Sequence, residues 1–213
     1  MLNGATLIFD GTGSKVSRGL SWILGDASHV AMAIDAKIVD RVADKLNYFM
    51  FGNHYPWYIL ESTTENTCVD VFTGKNIRGV SIVPFQKRVD SYNGSVKVRE
   101  LFTVGQHAID EDLLVDIITD LHGTPYELSI ARLIGAFLDK INIIKKNDDS
   151  SIFCSELVSL VYQRLNILER REPAEEAHPG DFLKNQNNNL DYIDGNSFLN
   201  GYFLGPAIRI KSK

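Results

Sequence analysis

The sequence predicts an α+β fold, an antiparallel sheet or small barrel packed against helices. Two observations carry that prediction. In the first half, short apolar or alternating runs at 5–9, 28–35, 57–61, 68–72, 79–83 and 95–99 are separated by turn signals such as Thr73-Gly74-Lys75-Asn76 and Tyr92-Asn93-Gly94, the pattern of an antiparallel meander. After Leu101 the apolar residues recur at helical spacing instead. Strands first and helices later is the α+β order, not the strand–helix alternation of a parallel sheet.

Each element has a local reason. Ala5-Thr6-Leu7-Ile8-Phe9 is a buried strand, followed by turn chemistry at Asp10-Gly11-Thr12-Gly13-Ser14. Ser14 is placed to cap a short helix bearing Val16, Leu20, Ile23 and Leu24, with Gly25 at its end. In the strand 28–35, Val30, Met32 and Ile34 point one way and His29, Ala31 and Ala33 the other, so one face is small enough for close packing. Ile38, Val42, Leu46 and Phe49 fit a helix that Gly52-Asn53-His54-Tyr55-Pro56 breaks. Asp110, Glu111 and Asp112 open a helix with Leu113, Leu114, Ile117, Ile118 and Leu121 as its apolar face, and Gly123 stops it. Thr124-Pro125-Tyr126-Glu127 reads as a capping box for a further helix with Ile130, Leu133, Ile134, Phe137, Leu138 and Ile141. Phe153, Leu157, Val161 and Leu165 mark a third, amphipathic helix. Residues 169–189 are polar, with Pro173, Pro179 and an Asn-rich run, and read as a long surface loop; 203–210 return as a last edge strand.

Composition narrows the function classes. The 213 residues suit one sizeable domain, 1–213, and 44% hydrophobic with 23% charged residues is ordinary for a globular protein. A net charge of -5 does not advertise the basic face of a nucleic-acid binder. No apolar run reaches the ~18 residues of a membrane span. Met1-Leu2-Asn3-Gly4 has no basic region before an apolar stretch, so no secretory signal is expected and a cytoplasmic location is. The two cysteines, Cys68 and Cys154, then read as reduced thiols. No zinc-type Cys/His spacing and no glycine-rich phosphate loop is present, so no metal or cofactor is expected.

The chemistry-bearing stretch is Phe153-Cys154-Ser155-Glu156-Leu157-Val158. It places Cys154 in the first turn of a helix, where unpaired N–H groups and the positive end of the dipole favour the thiolate. A thiolate nucleophile needs a histidine to take its proton and a polar group to orient that histidine. His29, opening one strand, and Glu61, closing another, meet those requirements of type. On local features alone Cys154 fits a nucleophile or a small buried hydrophobe. His29 fits a base or a hydrogen-bonded core histidine, and Glu61 an orienting group or a solvated strand-end charge. His54, His107 and His178 lie in turn or loop contexts; His122, at a helix C-terminus, suits the dipole. Cys68 reads as a structural thiol, Glu156 as a dipole partner, and Tyr126 as a pocket or packing residue.

The ordered set Ser28-His29-Val30, Glu61-Ser62, Asp70-Val71, Gly79-Val80, Gly123-Thr124-Pro125-Tyr126 and Phe153-Cys154-Ser155-Glu156-Leu157-Val158 resembles the circularly permuted branch of the papain-like NlpC/P60 superfamily, in particular its YiiX/YebB-like hydrolases. In that branch the histidine strand precedes the cysteine helix, as His29 and Glu61 precede Cys154 here. The resemblance runs from about Thr6 to Leu168. Its most specific part is the block around Cys154. Residues 36–54 are longer than in that group, and 169–213 fall outside the match. It implies a permuted papain-like fold with Cys154 as nucleophile, His29 as base and Glu61 as orienting group, cleaving an amide in a peptide, isopeptide or peptidoglycan-like substrate through an acyl-cysteine. A lipid-acting acyl hydrolase or acyltransferase and a non-catalytic binding domain are the alternatives on the same fold.

Overall fold

The computed structural model describes residues 3–10, 27–64, 68–105, 108–125, 152–174, 177, 179–183, 192–193 and 195–212. Its centre is a six-stranded sheet built from β1 (Thr6–Asp10), β2 (His29–Asp35), β3 (Trp57–Thr63), β4 (Gly79–Pro84), β5 (Ser95–Arg99) and β10 (Ile208–Lys211). The order is β10-β5-β1-β2-β3-β4, and every pairing is antiparallel. The sheet is open, with β4 and β10 at its edges; it does not close into a barrel. Small two-stranded ribbons pair β6 (Leu101–Thr103) with β9 (Tyr202–Leu204) and β7 (Tyr192–Ile193) with β8 (Asn196–Ser197).

Alternation along β2 divides the interior. Val30, Met32 and Ile34 enter the main core with Ile8, Tyr58, Leu60, Val80 and Ile82. Covering that face are α1 (Ala36–Leu46), α3 (Glu111–Leu121) and α4 (Ile152–Arg164). Ala31 and Ala33 face a smaller cluster of Leu7, Phe9, Ile59, Val83, Val89 and Val96, to which α2 (Phe85–Ser91) contributes. The small-residue face therefore receives a helix, one that follows Pro84 directly and that strand-and-turn reading passes over.

The helix ends follow local chemistry. Asp35 caps α1, its Oδ1 accepting from the Ile38 N–H at 2.9 Å, and Asn47 in the left-handed region at φ 55° ends it. Phe49, expected on this helix, lies beyond its end and is 90% exposed. Asp110 caps α3 through the Leu113 N–H. The inward residues of α3 are Leu114, Val115, Ile117, Ile118 and Leu121, while Leu113 faces out. Lys37, Arg41 and Lys45 on α1 pair with Glu111, Asp112 and Asp116 on α3 across an exposed seam. Such exposed pairs add little each. The α4 helix is not amphipathic as expected: residues 154–163 are all buried, Ser155, Glu156, Ser159 and Gln163 included.

Two segments depart from expectation. Residues 68–72 form a turn, not a strand. Asp70 is wholly buried, and its Oδ1 accepts from the Phe72 and Thr73 N–H groups and the Thr73 hydroxyl at 3.1, 2.9 and 3.0 Å. Its Oδ2 accepts from the Ile82 N–H and bonds His122 Nε2, both at 2.9 Å. A short acidic side chain that captures its own backbone diverts the chain from a ladder. The second segment is 169–189, which is not wholly a surface loop. A 3-10 turn at Pro179–Phe182 is buried, and Ala174, Ala177 and Phe182 join the main core. Buried Arg99 anchors that region by donating to the carbonyls of Phe182, Leu204 and Gly205 at 3.0, 2.7 and 2.6 Å. Gly79, with φ +140°, lets the segment after α3 approach the start of β4: a Cβ there would lie 2.1 Å from the Thr124 carbonyl oxygen. The proposed helices at 14–25 and 126–144, and Tyr126 itself, lie outside the described residues. Among the described residues no helix is long and apolar enough to cross a membrane.

Asp70→Ala leaves His122 and several backbone N–H groups buried without their acceptor, and it is expected to cost about 3–5 kcal/mol in urea unfolding. Burial raises the Asp70 pKa, but hydrogen bonds and the neighbouring His122 outweigh it and hold the carboxyl below its ordinary value. Its stabilisation is therefore complete above the unfolded value and is lost as pH falls through the lower folded one. Asp70→Asn is expected to flatten that acid-side loss.

Candidate active site

His29 opens β2, and its Cα partner on β1 is Phe9, whose ring lies 5.1 Å from the imidazole centroid. Glu61 lies two residues beyond Ile59 on β3, and Ile59 pairs with Ala33. His29, Ala33 and Glu61 therefore share one face of the sheet. There His29 Nε2 is 2.8 Å from Glu61 Oε2. The Glu61 side chain is 2% exposed and the His29 side chain 12%. A carboxylate can only accept, so this bond puts the proton on Nε2 and turns Nδ1 to other partners.

From the main-core side α4 packs against β2 and β3, and its third residue is Cys154. The buried thiol is hydrogen-bonded to the His29 ring. With Nε2 engaged by Glu61, Nδ1 is the ring nitrogen left to other partners. The three residues sought in the sequence thus stand in a row, with the imidazole between the thiol and the carboxylate.

The electrostatics fit a charged pair. Burial of the ring works against its cation, but the charge and hydrogen bond of Cys154, then those of Glu61, outweigh it and lift the His29 pKa to about 9. Burial likewise opposes the Glu61 carboxylate. The Arg88 charge, followed by the His29 bond, overcomes that and holds its pKa below the ordinary value. At neutral pH the ring and the carboxyl can therefore stand as imidazolium and carboxylate.

Sequence reasoning missed Arg88. It lies on α2, 1% exposed, and its Nε is 2.8 and 3.0 Å from the two Glu61 oxygens. A signal was present: Phe85, Arg88, Val89 and Tyr92 follow the i, i+3, i+4, i+7 pattern, which sets an arginine inside an apolar stripe. The remaining candidates stay apart from this row. His54 is 72% exposed. His122 serves Asp70, with Phe72 edge-on to its ring. Cys68 is half-buried near the Ser91 hydroxyl at 3.7 Å. His107, His178 and Tyr126 lie outside the described residues. Among the described residues no group of three or more His, Cys, Asp or Glu side chains is arranged to hold a metal ion.

Removing the sulfur removes the first two influences that favour the His29 cation. Cys154→Ala is therefore expected to bring the His29 pKa down from about 9, read by NMR titration of the imidazole. An unchanged titration would show that the thiol and the ring are not coupled. The sequence matches no protein-family model and no curated protein.

Proposed function

We propose that the protein is a cysteine hydrolase of permuted papain-like fold. In this reading Cys154 is the nucleophile, His29 the general acid–base and Glu61 the group that orients the imidazole. The observation that carries it is the His29 ring held between the Cys154 thiol and the Glu61 carboxylate. A binding domain has no need of that arrangement; acyl transfer does. The chain order, with the histidine strand before the cysteine helix, supports the permuted fold.

The Cys154 thiolate attacks the carbonyl carbon of an amide, a sulfur–carbon bond forms, and the carbonyl electrons move to oxygen. On collapse the carbon–nitrogen bond breaks and the amine leaves with the proton held by His29. Water then attacks the acyl-cysteine, giving its proton to His29; the sulfur–carbon bond breaks and releases the acid. The Cys154 N–H, in the first turn of α4, is directed with the helix's positive end and supplies one donor to the oxyanion, worth about 10²–10³ in rate. The preferred substrate class is a peptide or isopeptide amide, including peptidoglycan-like material. The same steps on an acyl ester give a lipid hydrolase or acyltransferase.

Labelling separates reactivity from access. Cys154 is buried and Cys68 partly exposed, so access alone favours Cys68. A short iodoacetamide pulse at neutral pH, read by mass spectrometry, is expected to label Cys154 first; preferential labelling of Cys68 counts against the reading. Against a panel of peptide amides and acyl esters, Cys154→Ala is expected to abolish both turnover and the acyl adduct. His29→Ala is expected to lower kcat by about 10²–10⁴. Turnover that survives Cys154→Ala rules the reading out.

A further inference from the structure

We propose that Arg88 is a positioning residue of this site, its guanidinium holding the Glu61 carboxylate in the orientation that serves His29. The inference rests on the hydrolase reading above and adds a member to its machinery. Arg88 Nε reaches Oε1 at 2.8 Å and Oε2 at 3.0 Å, while His29 Nε2 takes Oε2 at 2.8 Å. One carboxylate oxygen is thus shared and the other is held by the arginine. With both oxygens engaged, the group cannot rotate away from the imidazole without breaking a buried charge-assisted bond.

Arg88 is itself locked. Its guanidinium lies over the Phe9 ring at 5.0 Å and the Tyr92 ring at 5.6 Å. Phe9 also packs on the His29 ring, and the Tyr92 hydroxyl is 3.0 Å from the hydroxyl of Ser28, the residue before His29. Phe9 therefore packs on both the arginine and the histidine, and Tyr92 ties the arginine to the residue before the histidine. Lys211 holds the end of α2 by donating to the carbonyls of Val89, Asp90 and Tyr92 at 2.9, 2.8 and 2.6 Å. Lysine at 88 would keep the charge but lose the planar fork and the stacking.

The result is a row of four groups: Arg88, Glu61, His29 and Cys154. The groups facing Glu61 are His29 from β2, Arg88 from α2 and, in register on β4, the neutral Ser81. Those facing His29 are Glu61 from β3, Cys154 from α4 and the Phe9 ring from β1. Without Arg88 the buried carboxyl loses its leading counter-charge and becomes easier to protonate. A neutral Glu61 stabilises the imidazolium less, and the imidazolium in turn stabilises the thiolate less.

The test is a spectroscopic titration of the full-length protein, which needs neither a substrate nor access to the thiol. Thiolate formation is followed by ultraviolet absorbance, as the difference against the matching Cys154→Ser protein, in wild type, Arg88→Met, Arg88→Lys, Glu61→Gln and the Glu61→Gln/Arg88→Met double variant. Arg88→Met is expected to move thiolate formation upward by about one pH unit or more, and to lower the His29 pKa in NMR titration. In the Glu61→Gln background the same substitution is expected to produce no upward shift, because Arg88 acts through Glu61. If Arg88→Met does not fold, Arg88→Lys carries the test, with a smaller shift in the same direction. A folded Arg88 variant that is less stable but titrates like wild type overturns the proposal and leaves the hydrolase reading standing. Amide or ester turnover that survives Cys154→Ala overturns the hydrolase reading itself.

Discussion

A carboxylate inside a sheet-and-helix core must be neutralised where it stands, and Glu61 sets that demand here. Its side chain is 2% exposed, and burial alone pushes it toward the neutral acid. Arg88 from α2 and His29 from β2 reverse that pressure from two sides. Several features of the fold follow. The β2 face toward α2 carries Ala31 and Ala33, small enough for α2 to lie close. Phe9 on β1 and Tyr92 after α2 wall the guanidinium in. Lys211 on the edge strand β10 caps α2 and so helps fix where Arg88 stands.

The second buried carboxylate, Asp70, is satisfied in another way, and the contrast is informative. Most of its partners are backbone N–H groups, from Phe72, Thr73 and Ile82. Those bonds tie a turn to β4, and His122 ties α3 to the same point. Glu61 is held by side chains that carry charge, one of which touches a thiol. A group bonded to backbone shapes the chain; a group bonded to titratable side chains can tune where protons reside. That difference is why the row through Glu61, and not the one through Asp70, is the candidate site.

Much of the fold was legible because its signals are local. The alternation in 28–35, the acidic residues that open α3, and the glycine after α3 act within a few residues, and the strand and helix they mark are present. The misses share a cause, namely a partner distant in sequence. Residues 68–72 look like a strand until the Asp70 carboxylate captures the backbone and bonds Ile82 and His122. The polar run from 169 looks solvated until Arg99 draws the carbonyls of Phe182, Leu204 and Gly205 inward. The α4 helix looks amphipathic because Ser155, Glu156 and Gln163 are polar, yet the core closes around every side of 154–163. Arg88 sits among the polar residues Gln86, Lys87 and Asp90, and only its place in the apolar stripe marks it.

By itself the sequence determined the α+β class, the strands that carry His29 and Glu61, although the second runs on past Glu61 to Thr63, and the helical first turn that holds Cys154. These depend on periodicity and capping, which neighbouring residues decide. Only the tertiary structure decided that the sheet stays open, that the imidazole lies between sulfur and carboxylate, and that an arginine from a fourth element closes the far end of that row. Those outcomes depend on strand register and helix docking, and on the need to compensate every buried charge. No short stretch of the chain encodes them.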